Sequence, residues 1–153
     1  MSFSEMSQTR RRAWLVAVIW SVAGVGFVLT FFMGGGVGTF AEDSRRHLLG
    51  AAAIAFGFGG HALSMWLTRQ RKGAPPLVDE RDLQVAAQAN QATLVVVLVV
   101  AFAFTITLWT VFESRGSVPV AWMWFLAYGE AILAFVTSAV ITLIVDGRMT
   151  GHG

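Results

Sequence analysis

The sequence lacks cysteine altogether and is poor in charged residues, which make up 13% of its 153 residues. The absence of cysteine excludes disulfide bonds, thiolate metal sites and cysteine nucleophiles. A soluble globular domain carries about 25% charged residues. This chain instead has 56% hydrophobic residues and a mean hydropathy of +0.65. The composition therefore predicts an integral membrane protein.

Four apolar runs are each long enough to cross the hydrocarbon core of a bilayer, which takes about 20 helical residues. They cover residues 13–33, 48–68, 92–112 and 118–145. Because lipid offers no hydrogen-bond partner to the backbone, and because four runs of this length do not suit a closed barrel, each span must be helical. The sequence predicts an all-α, single-domain, integral membrane four-helix bundle over residues 1–153, with one loop at 69–91.

The basic residues are divided unevenly between the two predicted sides of the membrane. Eight lie on the side of the termini: Arg10, Arg11, Arg12, Arg69, Arg71, Lys72, Arg81 and Arg148. Three lie on the other side: Arg45, Arg46 and Arg115. Because cytoplasmic loops carry the excess of Lys and Arg, we expect both termini and the 69–91 loop to be cytoplasmic, in the inner membrane of a bacterium or archaeon. The arginines form no basic stripe, so no nucleic-acid partner is expected.

The first span has one alternative interpretation. Three arginines before an apolar run also resemble a twin-arginine export signal. The run is longer than a signal core and no Ala-x-Ala site follows it, which favours a membrane span. It leads into the glycine-rich residues 34–38, which we expect to form a flexible extracytoplasmic loop.

The loop between the second and third spans contains a double proline. Pro75 and Pro76 end the second helix, because proline lacks an amide donor and restricts the residue before it. The residues that follow suit one long helix over about residues 79–112, extended into the cytoplasm by its first three turns. Three exposed amides are expected on one face of that extension: Gln84, Gln88 and Gln91.

Four consecutive charged residues open this helix: Asp79, Glu80, Arg81 and Asp82. In one interpretation the acidic residues only stabilise the positive end of the helix dipole. In the other, the four form a cytoplasmic docking loop for a partner protein.

The same segment resembles a known group of sequences. Asp79 to Asp82, followed by an alanine-rich helix that enters a span of a small four-span chain, is similar to a family of uncharacterised prokaryotic membrane proteins with an Asp-Glu-Arg signature in the corresponding loop. Where that pattern has a basic residue and an alanine pair, this chain has only Ala86 and Ala87. The resemblance implies the four-span architecture and no mechanism.

Two ionisable residues lie at mid-depth, where a charge costs at least about 2.5 kcal/mol. Glu130 and His61 would both lie roughly 18–21 Å below the outer surface, so we expect that they can meet. A protonated Glu130 hydrogen-bonded to His61 would fix helix register. Alternatively, Glu130 is the protonation site of a proton-coupled small transporter of cations.

Small residues at alternating three-four spacing predict helix packing seams. The second span carries Gly50, Gly57 and Ser64, and the fourth carries Ala127 and Ala134 beside Glu130. We expect these two seams to face each other in the bundle interior.

His47 and His61 allow a third interpretation. They share a helix face about 21 Å apart, an arrangement that suits two stacked haems in a membrane cytochrome, with Gly50 and Gly57 making room for porphyrin. Axial ligation would need a second copy of the helix.

Motifs of catalysis are absent from the sequence: there is no HExxH, no GxSxG, no phosphate loop and no carboxylate cluster for a metal. We therefore expect no enzyme activity and, apart from the haem alternative, no cofactor. The leading hypothesis is a non-enzymatic accessory or regulatory subunit that packs against another membrane protein or forms a homo-oligomer.

Overall fold

The computed structural model describes residues 7–33, 35–68 and 80–150, and all regular structure within these ranges is helical. The elements are α1 (Gln8–Phe32), the short α2 (Gly36–Phe40), α3 (Ser44–Leu67), α4 (Glu80–Phe112), a 3₁₀ turn (Glu113–Arg115) and α5 (Val120–Thr150). Among the described residues, α1, α3, α4 and α5 are long and apolar enough to cross a membrane. At this level the prediction of an all-α membrane protein with four spans is confirmed.

α1 and α3 begin before the predicted spans because polar residues cap their first turns. α1 begins at Gln8, where the Ser7 hydroxyl accepts the backbone N–H of Arg10 at 3.2 Å. α3 begins at Ser44, where the Asp43 carboxylate accepts the backbone N–H groups of Arg45 and Arg46. Such caps satisfy amides that have no partner within the helix. α4 is continuous over 33 residues and corresponds to the long helix predicted over about 79–112.

The four long helices form a central pair and two flanking helices. α1 packs against α3 and α5, and α5 packs against α1 and α4. The starts of α1 and α4 lie at the same end of the molecule as the ends of α3 and α5, since side chains link all four there. We call this end the base and the opposite end the top. Residues 80–82 therefore lie at the same end as the start of α1.

The core between α1, α3 and α5 is built on a row of aromatic residues along α1. Trp20, Phe27 and Phe31 are each at most 1% exposed. Trp20 stacks on Phe135 of α5, with ring centroids 4.3 Å apart and ring planes at 8°. Because lipid tails are as apolar as the core, such contacts select the helix pairing through close packing more than through removal of apolar surface from water.

The connection between α1 and α3 is ordered by a single arginine. Its expected flexible glycine loop is in part the helix α2, and Phe40 of α2 is 1% exposed. The Arg46 guanidinium donates to the carbonyls of Thr30 (3.0 Å) and Phe31 (2.6 Å) at the end of α1. It also donates to the Thr39 hydroxyl at 2.8 Å. The expectation of a flexible loop over 34–38 was wrong for residues 36–38, because Arg46 binds carbonyls that the end of a helix leaves unpaired.

Candidate functional site

The base is closed by polar contacts between helices, which we call the base cluster. The Thr9 hydroxyl of α1 donates to an Asp82 carboxylate oxygen of α4 at 2.8 Å. Arg81 of α4 pairs with Asp146 of α5, with 3.1 Å between Nη2 and Oδ1, and Arg81 also donates to the Asp146 carbonyl. The Gln8 side-chain amide donates to the Thr68 carbonyl at the end of α3. The base cluster therefore joins all four long helices.

The base cluster accounts for part of the predicted docking loop. Asp79 lies outside the described residues. Arg81 and Asp82 contact neighbouring helices of the same chain, while Glu80 is exposed in the first turn of α4. The exposed polar residues of this segment are therefore Glu80, Gln84, Gln88, Asn90 and Gln91, which include the three glutamines expected to be exposed.

A cavity of about 400 Å³ lies between the four long helices next to the base cluster, and we call it the base cavity. Residues from α1, α3, α4 and α5 line it, although α3 and α4 do not pack closely against each other. Its polar lining residues are Thr9, Arg12, His61, Asp82, Asn90, Ser138 and Thr142. The cavity therefore combines both signs of charge with neutral donors and acceptors.

His61 lies at this cavity and not beside Glu130. Its ring packs on Phe135 of α5, with centroids 4.8 Å apart. Its Nδ1 atom is enclosed and has no hydrogen-bond partner among the described residues. Arg12 lines the same cavity. Arg12 forms no hydrogen bond or ion pair within the described part of the chain.

Glu130 lines a second cavity, of about 340 Å³, which we call the upper cavity. Its walls are apolar and come from α1, α4 and α5, with Phe27, Val100 and Leu133 among them. Glu130 is partly buried, and the described residues provide it with neither a hydrogen bond nor an ion pair. The structure therefore does not bring Glu130 and His61 together. Phe135, which contacts His61, lies five residues after Glu130 on α5. At 100° per residue, the two side chains therefore point about 140° apart around the helix axis.

The small-residue seam of α3 is buried, but against α1 and not against α5. Gly50, Gly57 and Ser64 are all buried. A Cβ atom at Gly57 would lie 2.9 Å from Trp20, and one at Gly50 would lie 3.6 Å from Phe27. On α5, Ala127 is exposed and Ala134 is partly buried. The two seams do not face each other as expected, because the bulky side chains of α1 fill the glycine notches.

The same packing bears on the haem interpretation. The space beside Gly50 and Gly57 that was expected to admit porphyrin is filled by Phe27 and Trp20. His47 packs edge-on against Phe40 (centroids 4.7 Å apart) and lies over Trp124 of α5 (5.9 Å). The face of α3 that carries His47 and His61 therefore packs in part against α5 of the same chain.

Comparison with known proteins agrees with the helical architecture. A family model described as "Predicted membrane protein (DUF2178)" matches residues 19–145, which covers all four long helices in whole or in part. The chain belongs to the DUF2178 family. No curated protein and no solved structure matches it. Membership of DUF2178 identifies a membrane protein and assigns no activity, and the Asp-Glu-Arg likeness within the family stays a prediction.

The DUF2178 chain contains functional candidates that sequence reasoning missed. Asp146, 4% exposed, lies one residue beyond the predicted fourth span and was assigned no role, and Arg46 was counted only as a basic residue on the outer side. The available signal for the pair was an acidic residue directly after the last apolar run, two spans after the arginine at position 81 of the 69–91 loop. Arg12 was counted for orientation alone, and no sequence pattern connects it to His61.

Proposed function

We propose that this protein is a non-enzymatic accessory or regulatory subunit in the inner membrane, with both termini cytoplasmic, and that it binds another membrane protein or a second copy of itself through α4. The observation that carries the proposal is the uncovered length of α4. Within its 33 residues, only Val85, Ala89, Leu108 and Phe112 are buried. Long-range packing of α4 is directed almost entirely at α5.

The exposed side of α4 has the spacing of a helix-pairing surface. Residues at alternating steps of four and three run along it, and all are exposed: Gln84, Gln88, Gln91, Val95, Leu98, Phe102, Thr105 and Trp109. We call this row the α4 seam. Alternating four-three spacing keeps side chains on one stripe that a neighbouring helix can follow. The amides at its base end can hydrogen-bond across a helix interface in the headgroup region.

The base cluster supports this role because it holds the exposed helix in place. Arg81 and Asp82 fix the first turn of α4 to α5 and α1. A surface held rigid before binding loses less conformational freedom on association. The charged loop thus contributes to docking indirectly, by positioning the glutamines of the α4 seam.

Site-specific photo-crosslinking tests the proposal. A benzophenone amino acid replaces Phe102 of the α4 seam (69% exposed) or, as a matched control, Phe56 at comparable depth on α3 (53% exposed). We expect a protein adduct from position 102 in native membranes and little from position 56. An adduct of twice the chain mass identifies a second copy, and a different mass identifies another protein. Lipid adducts alone at position 102, or equal protein adducts at both positions, would refute the role of α4.

A proton-coupled transporter of hydrophobic cations is the second candidate function. It is favoured by the partly buried Glu130, which lies at an apolar cavity and lacks a partner within the described residues. A carboxyl group in such surroundings is suited to bind either a proton or a cation. In liposomes, Glu130→Gln should abolish pH-driven flux of a lipophilic amine, whereas Glu113→Gln at the end of α4 should not. Unchanged flux in Glu130→Gln would exclude this function.

A further inference from the structure

We propose that the base cavity is a binding site for the phosphate group of a phospholipid, with Arg12 and His61 as its principal donors. Nothing in the family match assigns a ligand to this region. The proposal is independent of the α4 seam and of Glu130, since neither lines this cavity. It rests on the donor groups, the shape of the cavity and the predicted depth in the membrane.

Two of the donor groups that line the base cavity, those of Arg12 and His61, have no hydrogen-bond partner among the described residues. Arg12 is exposed at the mouth of the cavity in the first turns of α1, and it forms no hydrogen bond or ion pair with any described residue. The enclosed Nδ1 of His61 has no hydrogen-bond partner in the part of the chain that the structure describes. A buried N–H without an acceptor is costly, so the neutral ring favours the tautomer with its proton on Nε2, which leaves Nε2–H to donate to a ligand.

The guanidinium and imidazole groups select an anion with several acceptor oxygens. Arginine presents a planar set of N–H groups that matches a phosphate in bidentate geometry, and such charge-assisted bonds are stronger than neutral ones. Asn90 and Ser138 add neutral donors from the opposite helices. The carboxylate of Asp82 also lines the cavity, but one of its oxygens accepts the Thr9 hydroxyl at the base. We therefore place the anion at the Arg12 and His61 side.

The walls of the base cavity suit the apolar part of a lipid. Val16, Phe135 and Ala139 line it on the side of the central pair, and Leu83, which is 63% exposed, lines it on α4. Because α3 and α4 both line the cavity without close packing against each other, a chain can pass between them into the bilayer. Basic pockets between spanning helices on the cytoplasmic side are suited to anionic headgroups.

The test uses full-length protein purified in a non-ionic detergent and measures its melting temperature during titration. Three probes are compared: dihexanoylphosphatidylglycerol, dihexanoylglycerol without phosphate, and inorganic phosphate. We expect a saturable rise with the phospholipid and none with dihexanoylglycerol. A response to inorganic phosphate as well would identify free phosphate as a sufficient ligand, whereas a response to the phospholipid alone would identify a lipid site.

Variants localise the response. Arg12→Gln should weaken the apparent affinity for the phospholipid by about 10-fold or more, as expected for loss of a charge-assisted bond. Arg45→Gln removes the same charge at the top and should leave the affinity unchanged. His61→Leu should weaken binding, and His61→Gln, which keeps an N–H donor, should weaken it less. If Arg12→Gln does not fold, the site is tested by the two His61 variants and by the phosphorus content of the purified protein. Bound phosphorus that is lower in His61→Leu would support the site. Equal shifts by both glycerolipids, or equal affinities in Arg12→Gln and Arg45→Gln, would overturn the site.

Discussion

Arg81 in the first turn of α4 and Asp146 near the end of α5 form an ion pair of 3.1 Å that closes the base of the molecule. The two partners are unequally buried, with the Arg81 side chain 38% exposed and that of Asp146 6% exposed. Removal of Arg81 therefore leaves a largely buried carboxylate with one charged partner fewer. Breaking such a pair costs more than an exposed pair contributes, because the remaining charge stays desolvated.

We predict that Arg81→Gln lowers the free energy of unfolding by about 1–3 kcal/mol, the usual cost of removing one partner of a buried polar group. Unfolding by denaturing detergent in mixed micelles provides the measurement. Arg115→Gln is the control, since Arg115 lies over the Phe112 ring at the top (5.5 Å) and has no ion pair with another helix among the described residues. The double variant Arg81→Gln, Asp146→Asn should lose less stability than the sum of the losses in the two single variants. Strict additivity would show that the pair does not couple α4 to α5.

Arg45 and Arg46 provide a second matched comparison, because adjacent residues of one type have different surroundings. Arg46 is 8% exposed and donates to carbonyls of α1 and to the Thr39 hydroxyl. Arg45 is exposed, and its backbone alone contacts Asp43. We expect Arg46→Gln to destabilise the protein by about 2–4 kcal/mol through loss of several bonds to buried carbonyls, and Arg45→Gln by less than about 0.5 kcal/mol.

Arg46→Lys should restore only a small part of the lost stability, since lysine is a point charge without the planar fork that reaches several carbonyls at once. The same unfolding measurement applies to all three variants. Full restoration by lysine would mean that the charge alone orders the α1–α3 connection.

The sequence allows the spans to be predicted but not their neighbours. A run such as residues 92–112 is identified by length and hydropathy because the bilayer imposes both. The periodicity of Gly50 and Gly57 likewise identifies the buried face of α3. Periodicity cannot say which helix covers that face, since any helix with bulky side chains at matching heights can do so. Trp20, placed too deep in α1 for an interfacial indole, was the available sign that α1 fills the notch.

The candidate sites were predictable only in part for a related reason. Counting residues along the spans places Glu130 and His61 at a common depth in the membrane. Contact between them also requires that Glu130 lie on the side of α5 that faces His61 of α3. The depth of a residue follows from its position in the span, whereas the helix that its side chain faces depends on which helices are neighbours. Arg12 and His61 belong to the same cavity because α1 and α3 are adjacent at the base, which only the folded arrangement establishes.

Gly57 tests the fit between α1 and α3. A Cβ atom there would lie 2.9 Å from Cζ3 of the Trp20 ring, which is fully buried and packed between Phe58 and Phe135. We predict that Gly57→Ala destabilises the protein by about 1–3 kcal/mol, the usual cost of overpacking, even though alanine favours helix more than glycine.

Gly59→Ala is the control for this prediction, because nothing lies within 4 Å of a Cβ atom at Gly59. It should be neutral or slightly stabilising. Trp20→Phe in the Gly57→Ala background should recover part of the loss, since the clashing atoms belong to the benzene part of the indole. Equal effects of the two glycine substitutions would show that the α1–α3 contact is looser than the structure indicates.

Glu130 offers a stability test of whether its carboxyl group serves the fold. If the carboxyl fixed helix register through a hydrogen bond, its replacement by an apolar residue would leave that partner unsatisfied and cost about 1–3 kcal/mol. The described residues provide no such partner, and the surrounding cavity is apolar. We therefore predict that Glu130→Leu leaves the free energy of unfolding unchanged or raises it, as measured in lipid bicelles.

Thr142→Val is a comparison on the same helix, where the hydroxyl donates to the Ser138 carbonyl at 2.7 Å. A loss of stability in Glu130→Leu well above that in Thr142→Val would assign Glu130 to the fold. Retained stability together with abolished cation flux in Glu130→Gln would assign it to transport instead.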